Sequence, residues 1–144
     1  MNILKIKTPE RILGNYGEKA ACKYLRRHGY KILKKNFTAD SAEIDIIAQN
    51  SDTLVFVEVK TRNLTALSPD EPRPASAVNP KKQRKIIKAA RVYLAFNPTE
   101  KRKQFDIIEV LVDSKNGRYS LAEIKHLKNT FNLNTAFSTR KGNR

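Results

Sequence analysis

The chain has one cysteine, two histidines and no tryptophan in 144 residues. A lone Cys22 excludes an intramolecular disulfide and a zinc site built from cysteines, and His28 and His126 are too few to supply a zinc centre by themselves. Any working metal must therefore be held by carboxylates, which suit a hard cation such as Mg²⁺ or Mn²⁺. Apolar runs are short as well. None approaches the roughly 20 residues of a membrane-spanning helix, and Met1 to Glu10 lacks the apolar stretch of a signal peptide. These absences set the expectation of a cytoplasmic protein with no membrane partner. Negative charge is scarce too, with 14 Asp and Glu against 29 Lys and Arg, for a net charge of +15. A surface this positive draws polyanions. Nucleic acid is the natural candidate, because each phosphate neutralised by the protein releases a counterion and adds affinity; an anionic membrane or the ribosome would answer the same charge.

What is present amounts to one domain, enough to bury a core without staples. The expected division is a single domain over 1–130 and a basic tail over 131–144. Thr8-Pro9 reads as a cap followed by a first-turn proline. Ile12, Leu13, Tyr16, Ala20, Tyr24 and Leu25 then recur at helical spacing, and Gly29 stops the helix. Gly14 and Gly17 weaken its first half and mark where another backbone or a phosphate comes close. A short strand is expected over Tyr30–Phe37. Two β-rich runs, Glu43–Ala48 and Thr53–Lys60, flank a polar break and predict a hairpin. Residues 63–78, rich in proline, serine and alanine, read as a long loop. Asn79-Pro80 opens a second helix that ends at Asn97-Pro98. Phe105–Val112 is a further strand, Asp113–Gly117 a turn, and Arg118–Ile124 a final strand. The order αβββαβ(β) predicts an α/β protein with a mixed sheet flanked by helices.

The hairpin carries the chemistry. Pairing Ala48 with Thr53 across a four-residue turn sets Asp45 opposite Phe56 and Glu43 opposite Glu58. Asp45, Glu58 and Lys60 then share one face. Asp45 and Glu58 become diagonal neighbours, roughly 7–8 Å apart at Cα and near enough to grip one ion. Carboxylates brought together beside an apolar strand repel and are desolvated, and a divalent cation offsets both costs. The plain alternative is a surface ion pair, Glu58 and Lys60 side by side on a solvent face. Glu18 is open between a helix-surface role and a place at the metal. Lys81, Lys82, Arg84 and Lys85 load the start of the second helix with charge that opposes its dipole. Phosphate contact accounts for this better than local stability does, a solvated face being the alternative. Tyr16, Tyr24 and Tyr93 read as core residues, His28 and His126 as structural, and Cys22 as buried.

The string Glu43-Ile44-Asp45-Ile46-Ile47-Ala48 followed by Val55-Phe56-Val57-Glu58-Val59-Lys60-Thr61-Arg62 resembles the signature of the YraN-type family. Gly14 to Ala21, Gly29 to Leu33 with Asn36, Ala77 to Gln83 and Phe105 to Ile108 fit its other segments. The chain departs from the pattern at Ala42, where the family usually has glycine, and has no arginine near Thr38 to Asp40. The resemblance implies a restriction-endonuclease-like fold, similar to archaeal Holliday-junction resolvases. It also implies a metal-dependent endonuclease acting on DNA, at branched or damaged structures, and working as a homodimer. Asp45, Glu58 and Glu18 would hold Mg²⁺ or Mn²⁺, and Lys60 would be the catalytic lysine beside Asp45 and Glu58. Arg62, Lys81, Lys82, Gln83 and Arg84 are the expected nucleic-acid contacts. The rival expectation is a basic protein that binds DNA, RNA or the ribosome without cutting.

Overall fold

The computed structural model describes residues 8–66 and 78–133. The N-terminal residues before Thr8, most of the proline-rich loop and the tail beyond Leu133 lie outside them. Helix α1 spans Pro9–Arg27, strands β1 to β3 span Lys31–Ala39, Ala42–Gln49 and Thr53–Asn63, helix α2 spans Pro80–Phe96, and β4 and β5 span Arg102–Lys115 and Arg118–Phe131. The helix starts are those the sequence predicts. The Thr8 hydroxyl accepts from Arg11 N at 3.2 Å and the Asn79 side chain from Lys82 N at 2.9 Å, each cap followed by proline. Both caps satisfy an amide that a helix start leaves without a carbonyl.

The five strands form one sheet in chain order, antiparallel except for β3 and β4, which run parallel and are joined through α2. Residues Leu54 to Val57 of the central strand β3 are buried on both faces. Val55 and Val57 pack with Ala21, Cys22 and Leu25 beneath α1. Leu54 and Phe56 pack with Ile86, Ile87 and Ala90 beneath α2. The valines thus mark one of two buried faces, which explains a continuous apolar run where a half-exposed strand would alternate. Phe56, Phe105 and Phe131 stack in series on the α2 side, with centroids 5.1 and 4.6 Å apart. Tyr93 packs edge-on against Phe37 and Phe56, as a core residue.

Several expected strand boundaries move. Strand β1 begins and ends later than Tyr30–Phe37. Strand β3 runs on through Asn63, so the loop begins after it. The turn expected over Asp113–Gly117 shrinks to Asn116-Gly117, both with positive φ (53° and 74°). That pair suits the tight turn that matches strand twist. Strand β4 therefore extends to Lys115, and β5 passes Ile124 to reach Phe131, whose ring belongs to the core.

Candidate metal and nucleic-acid site

The β2–β3 register differs from the expected one by two residues. Gln49 pairs with Leu54 and Ile46 with Val57. Asn50 sets this register. Its N–H donates to Thr53 O at 3.0 Å, and its side-chain oxygen accepts from Asp52 N and Thr53 N at 3.0 and 2.8 Å. The turn is thus tighter than the polar break suggests. A shift of two keeps the paired residues Ile46 to Gln49 on their expected faces, whereas a shift of one would have reversed them. One further step of this register puts Asp45 opposite Glu58 in place of Phe56.

That step is where the ladder ends. Beyond Ile46 and Val57 the strands fork: β2 stays with β1 down to Ala42, while β3 stays with β4 to Asn63. Asp45 sits in the fork. Its Oδ2 accepts from Val59 N at 2.7 Å, taking a β3 donor that has no ladder partner on this side. The strand also rolls here. Ile44 packs beneath α2 and Ile46 beneath α1, although residues two apart in a regular strand share a face. Across β1, Asn36 has a φ of 53°. Its amide nitrogen, turned toward the carboxylates, donates to Glu43 Oε1 at 2.9 Å and Glu18 Oε1 at 2.6 Å.

Glu18 reaches the fork because α1 lies directly on β3. A Cβ on Gly17 would fall within the van der Waals shell of Thr61 Oγ1. The close approach expected of this glycine is therefore a contact with a strand. Glu18, Glu43 and Asp45 each bring a carboxylate oxygen within 4.8 Å of the others. Such an all-oxygen set could hold a hard divalent cation. Glu43 joins the cluster as well. Two residues before Asp45, it shares that residue's face by simple alternation, and the opening of the fork leaves both within reach of Glu18 on α1.

Electrostatics carry the mark of this crowding. Burial, then the charge of Glu58, then those of Glu18 and Glu43 push the Asp45 carboxyl up to about 7, against the lowering effect of the Val59 N–H. Burial and Glu43 also raise Glu18, with Lys35 opposing. Lys60 is lowered, first by burial and next by Lys82, while Glu58 and Glu109 act to raise it. Glu58, with its side chain 11% exposed, accepts from Lys82 Nζ at 2.6 Å.

The fork opens to both sides of the sheet. Toward α2, a hollow of about 530 Å³ is lined by Glu43, Asp45 and Glu58 below and Lys81, Lys82 and Lys85 above. Toward α1, a hollow of about 390 Å³ is lined by Gly14, Glu18, Glu43, Asp45 and Thr61. Ala42, where the YraN-type pattern has glycine, is buried against α2 and lines the first hollow. The other expected contacts lie elsewhere. Gln83 turns its amide to the Val78 carbonyl at 2.7 Å, securing the approach to α2. Arg62 and Arg84 line neither hollow.

The model of an uncharacterised protein family, UPF0102, matches residues 17–110, a span that holds Glu18, Glu43, Asp45, Glu58, Lys60 and Lys82. A UPF0102 protein of Caldanaerobacter subterraneus is 42% identical over 126 residues, 87% of this chain and 98% of that protein. One from Chlorobium phaeobacteroides is 43% identical over 122 residues, covering 83% and 93%. One from Geobacter metallireducens is 41% identical over 122 residues, covering 84% and 93%. With matches of this extent, the chain belongs to the UPF0102 family.

Proposed function

We propose that the protein is a metal-dependent endonuclease that hydrolyses phosphodiester bonds in DNA, with branched or damaged structures as its substrate class. The observation that supports this most is the fork itself. Three carboxylates converge within 4.8 Å beside Glu58, beneath a rim of lysines. Negative charge is gathered where a cation would neutralise it, and positive charge is set where a phosphate would lie.

Asp45 and Glu18 would hold Mg²⁺ or Mn²⁺ together with Glu43, and with Glu58 once Lys82 releases it. The ion, when bound, would activate a water and neutralise charge on the phosphate. Lys60, depressed by burial, stands one strand position pair beyond Glu58 on the same face, suited to orient that water or steady the phosphate. Lys81, Lys82 and Lys85 would take the flanking phosphates. Lys82 would exchange Glu58 for a phosphate oxygen, so that substrate and metal favour each other's binding.

The Lys82–Glu58 bond also favours a second reading. A carboxylate already neutralised by a lysine suits a basic protein that binds nucleic acid without cutting it. One experiment separates the two. Labelled branched, single-stranded and duplex DNA are incubated with the wild type and with Asp45→Ala, in Mn²⁺, Mg²⁺ or EDTA. The nuclease reading expects metal-dependent products that Asp45→Ala does not give. Binding at low salt with no product on any substrate supports the second reading, and undiminished cleavage by Asp45→Ala refutes the site.

A further inference from the structure

Helix α1 lines hollows on two of its sides. Gly14 and Glu18 line the acidic hollow, whereas Ala20, about 200° around the helix from Glu18, lines a separate one between α1 and β5. That hollow measures about 710 Å³ and differs in chemistry from the fork. Lys19, Lys23 and Arg27 border it, and Glu123 is its one lining carboxylate. Leu121, 48% exposed, and Ile124 supply an apolar wall. Tyr24 and His28 form a near-stacked pair, with ring centroids 4.1 Å apart and planes 31° apart.

Tyr24 is held from inside. Its hydroxyl meets His126 Nδ1 at 3.1 Å, and His126 Nε2 meets Asp106 Oδ2 at 2.6 Å. Asp106 is buried, and its other oxygen accepts from Gln104 Nε2 and Asn129 N, each at 2.9 Å. The ring is thereby fixed before any ligand arrives, which lowers the ordering cost of binding. The three cations follow one another at four-residue intervals, about 6 Å along the helix axis. That spacing is close to the step between phosphates of an extended single strand. Like charges so placed weaken a helix, although Arg27 gains something from the helix C-terminus. A duplex keeps its bases stacked inside and has no use for the aromatic pair or the apolar wall. An unpaired base does.

We propose that this hollow docks single-stranded nucleic acid, with a base against the Tyr24–His28 pair and phosphates along Lys19, Lys23 and Arg27. The inference shares with the proposed function the premise that the chain binds nucleic acid, but it does not require cleavage. Its test is therefore run in EDTA. Fluorescence anisotropy with a fluorescein-labelled oligothymidylate and with a duplex of equal length is measured for the full chain, for Tyr24→Leu, for Tyr24→Phe and for the double variant Lys23→Glu/Arg27→Glu. Tyr24→Leu should weaken single-strand binding roughly tenfold, as expected for loss of one stacked base, and Tyr24→Phe much less. The double variant, at exposed positions, should lower single-strand affinity by a larger factor than duplex affinity. If circular dichroism shows Tyr24→Leu unfolded, the double variant decides alone. Wild-type single-strand affinity in the folded variants overturns the proposal. So does an equal loss for both nucleic acids, which would mark an unspecific basic surface, and so does a wild type that does not bind the oligothymidylate.

Discussion

Two aspartates sit in this sheet, Asp106 buried and Asp45 half-buried, and they are treated in opposite ways. Asp106 accepts bonds on both oxygens, from Gln104 and Asn129 on one and His126 on the other. Asp45 has the Val59 N–H and faces Glu18, Glu43 and Glu58. The first is what burial of a carboxylate demands, since a buried charge is tolerated when it is paired and hydrogen-bonded. The second breaks that rule. The contrast supports the role proposed for the fork and a structural role for the bonds between β4 and β5.

The contrast can be broken most severely at Asp106. Asp106→Ala should cost about 3–5 kcal/mol, because it strands His126 and two further donors in the interior. A urea-unfolding midpoint would read this directly. Asp45→Asn should do the reverse in metal-free buffer. Asparagine keeps an oxygen for Val59 N and removes a charge from a repelling group. A gain of about 1–3 kcal/mol near pH 8 is expected, with cleavage falling at least roughly a hundredfold.

Acidity sharpens the same point. A carboxyl raised from its ordinary 3.8 to about 7 favours the folded state while protonated. That contribution is complete below pH 4 and is lost as pH rises through 7, amounting to roughly 4 kcal/mol at most. Wild type and Asp45→Asn should thus be similar in stability near pH 4 in EDTA and diverge steadily to pH 7, seen by denaturation at each pH. Mn²⁺ should close the gap at high pH by stabilising the wild type alone.

Smaller effects test the supports of the fork. Gly17→Ala forces α1 off Thr61 and should cost about 1–3 kcal/mol, with weaker Mn²⁺ binding by calorimetry as Glu18 is displaced. Lys82→Met should change stability by less than about 1 kcal/mol, because its amine is half exposed. Metal affinity in that variant should rise a few-fold while cleavage falls.

Much of this was legible in the sequence because it is local. The Thr8-Pro9 and Asn79-Pro80 caps, the two helical stripes and the β-rich runs each rest on neighbouring residues. The paired stretch of the hairpin keeps its expected faces because the shift at Asn50 is an even number of residues. Asn116-Gly117 is itself a tight-turn signal inside the longer polar break. The fork could not be read in the same way. Where β2 leaves β3 depends on β1, β4 and α2 competing for the same strands. Glu43 and Asp45 meet Glu18 only because α1 lies across the fork, and Gln83 is taken up by a carbonyl that spacing alone does not reveal. Similarly, the partners that hold His126 in its structural role, Asp106 and Tyr24, lie twenty and a hundred and two positions away in the chain.

The forked hairpin also makes the cluster a jaw. Glu43 and Asp45 ride on the β1–β2 tip, which rests on α2 through Ala42, Ile44 and Phe37. Glu58 and Lys60 ride on the β3–β4 body, and Glu18 on α1. Three elements meet at one point, linked there among the described residues by the Asp45–Val59 bond and the Asn36 bridge. The stiffness with which the cluster grips is thus a property of these elements, and an ion seated between them would act as a rivet. Amide exchange at the tip should then slow when Mn²⁺ is added, at residues that never touch the metal.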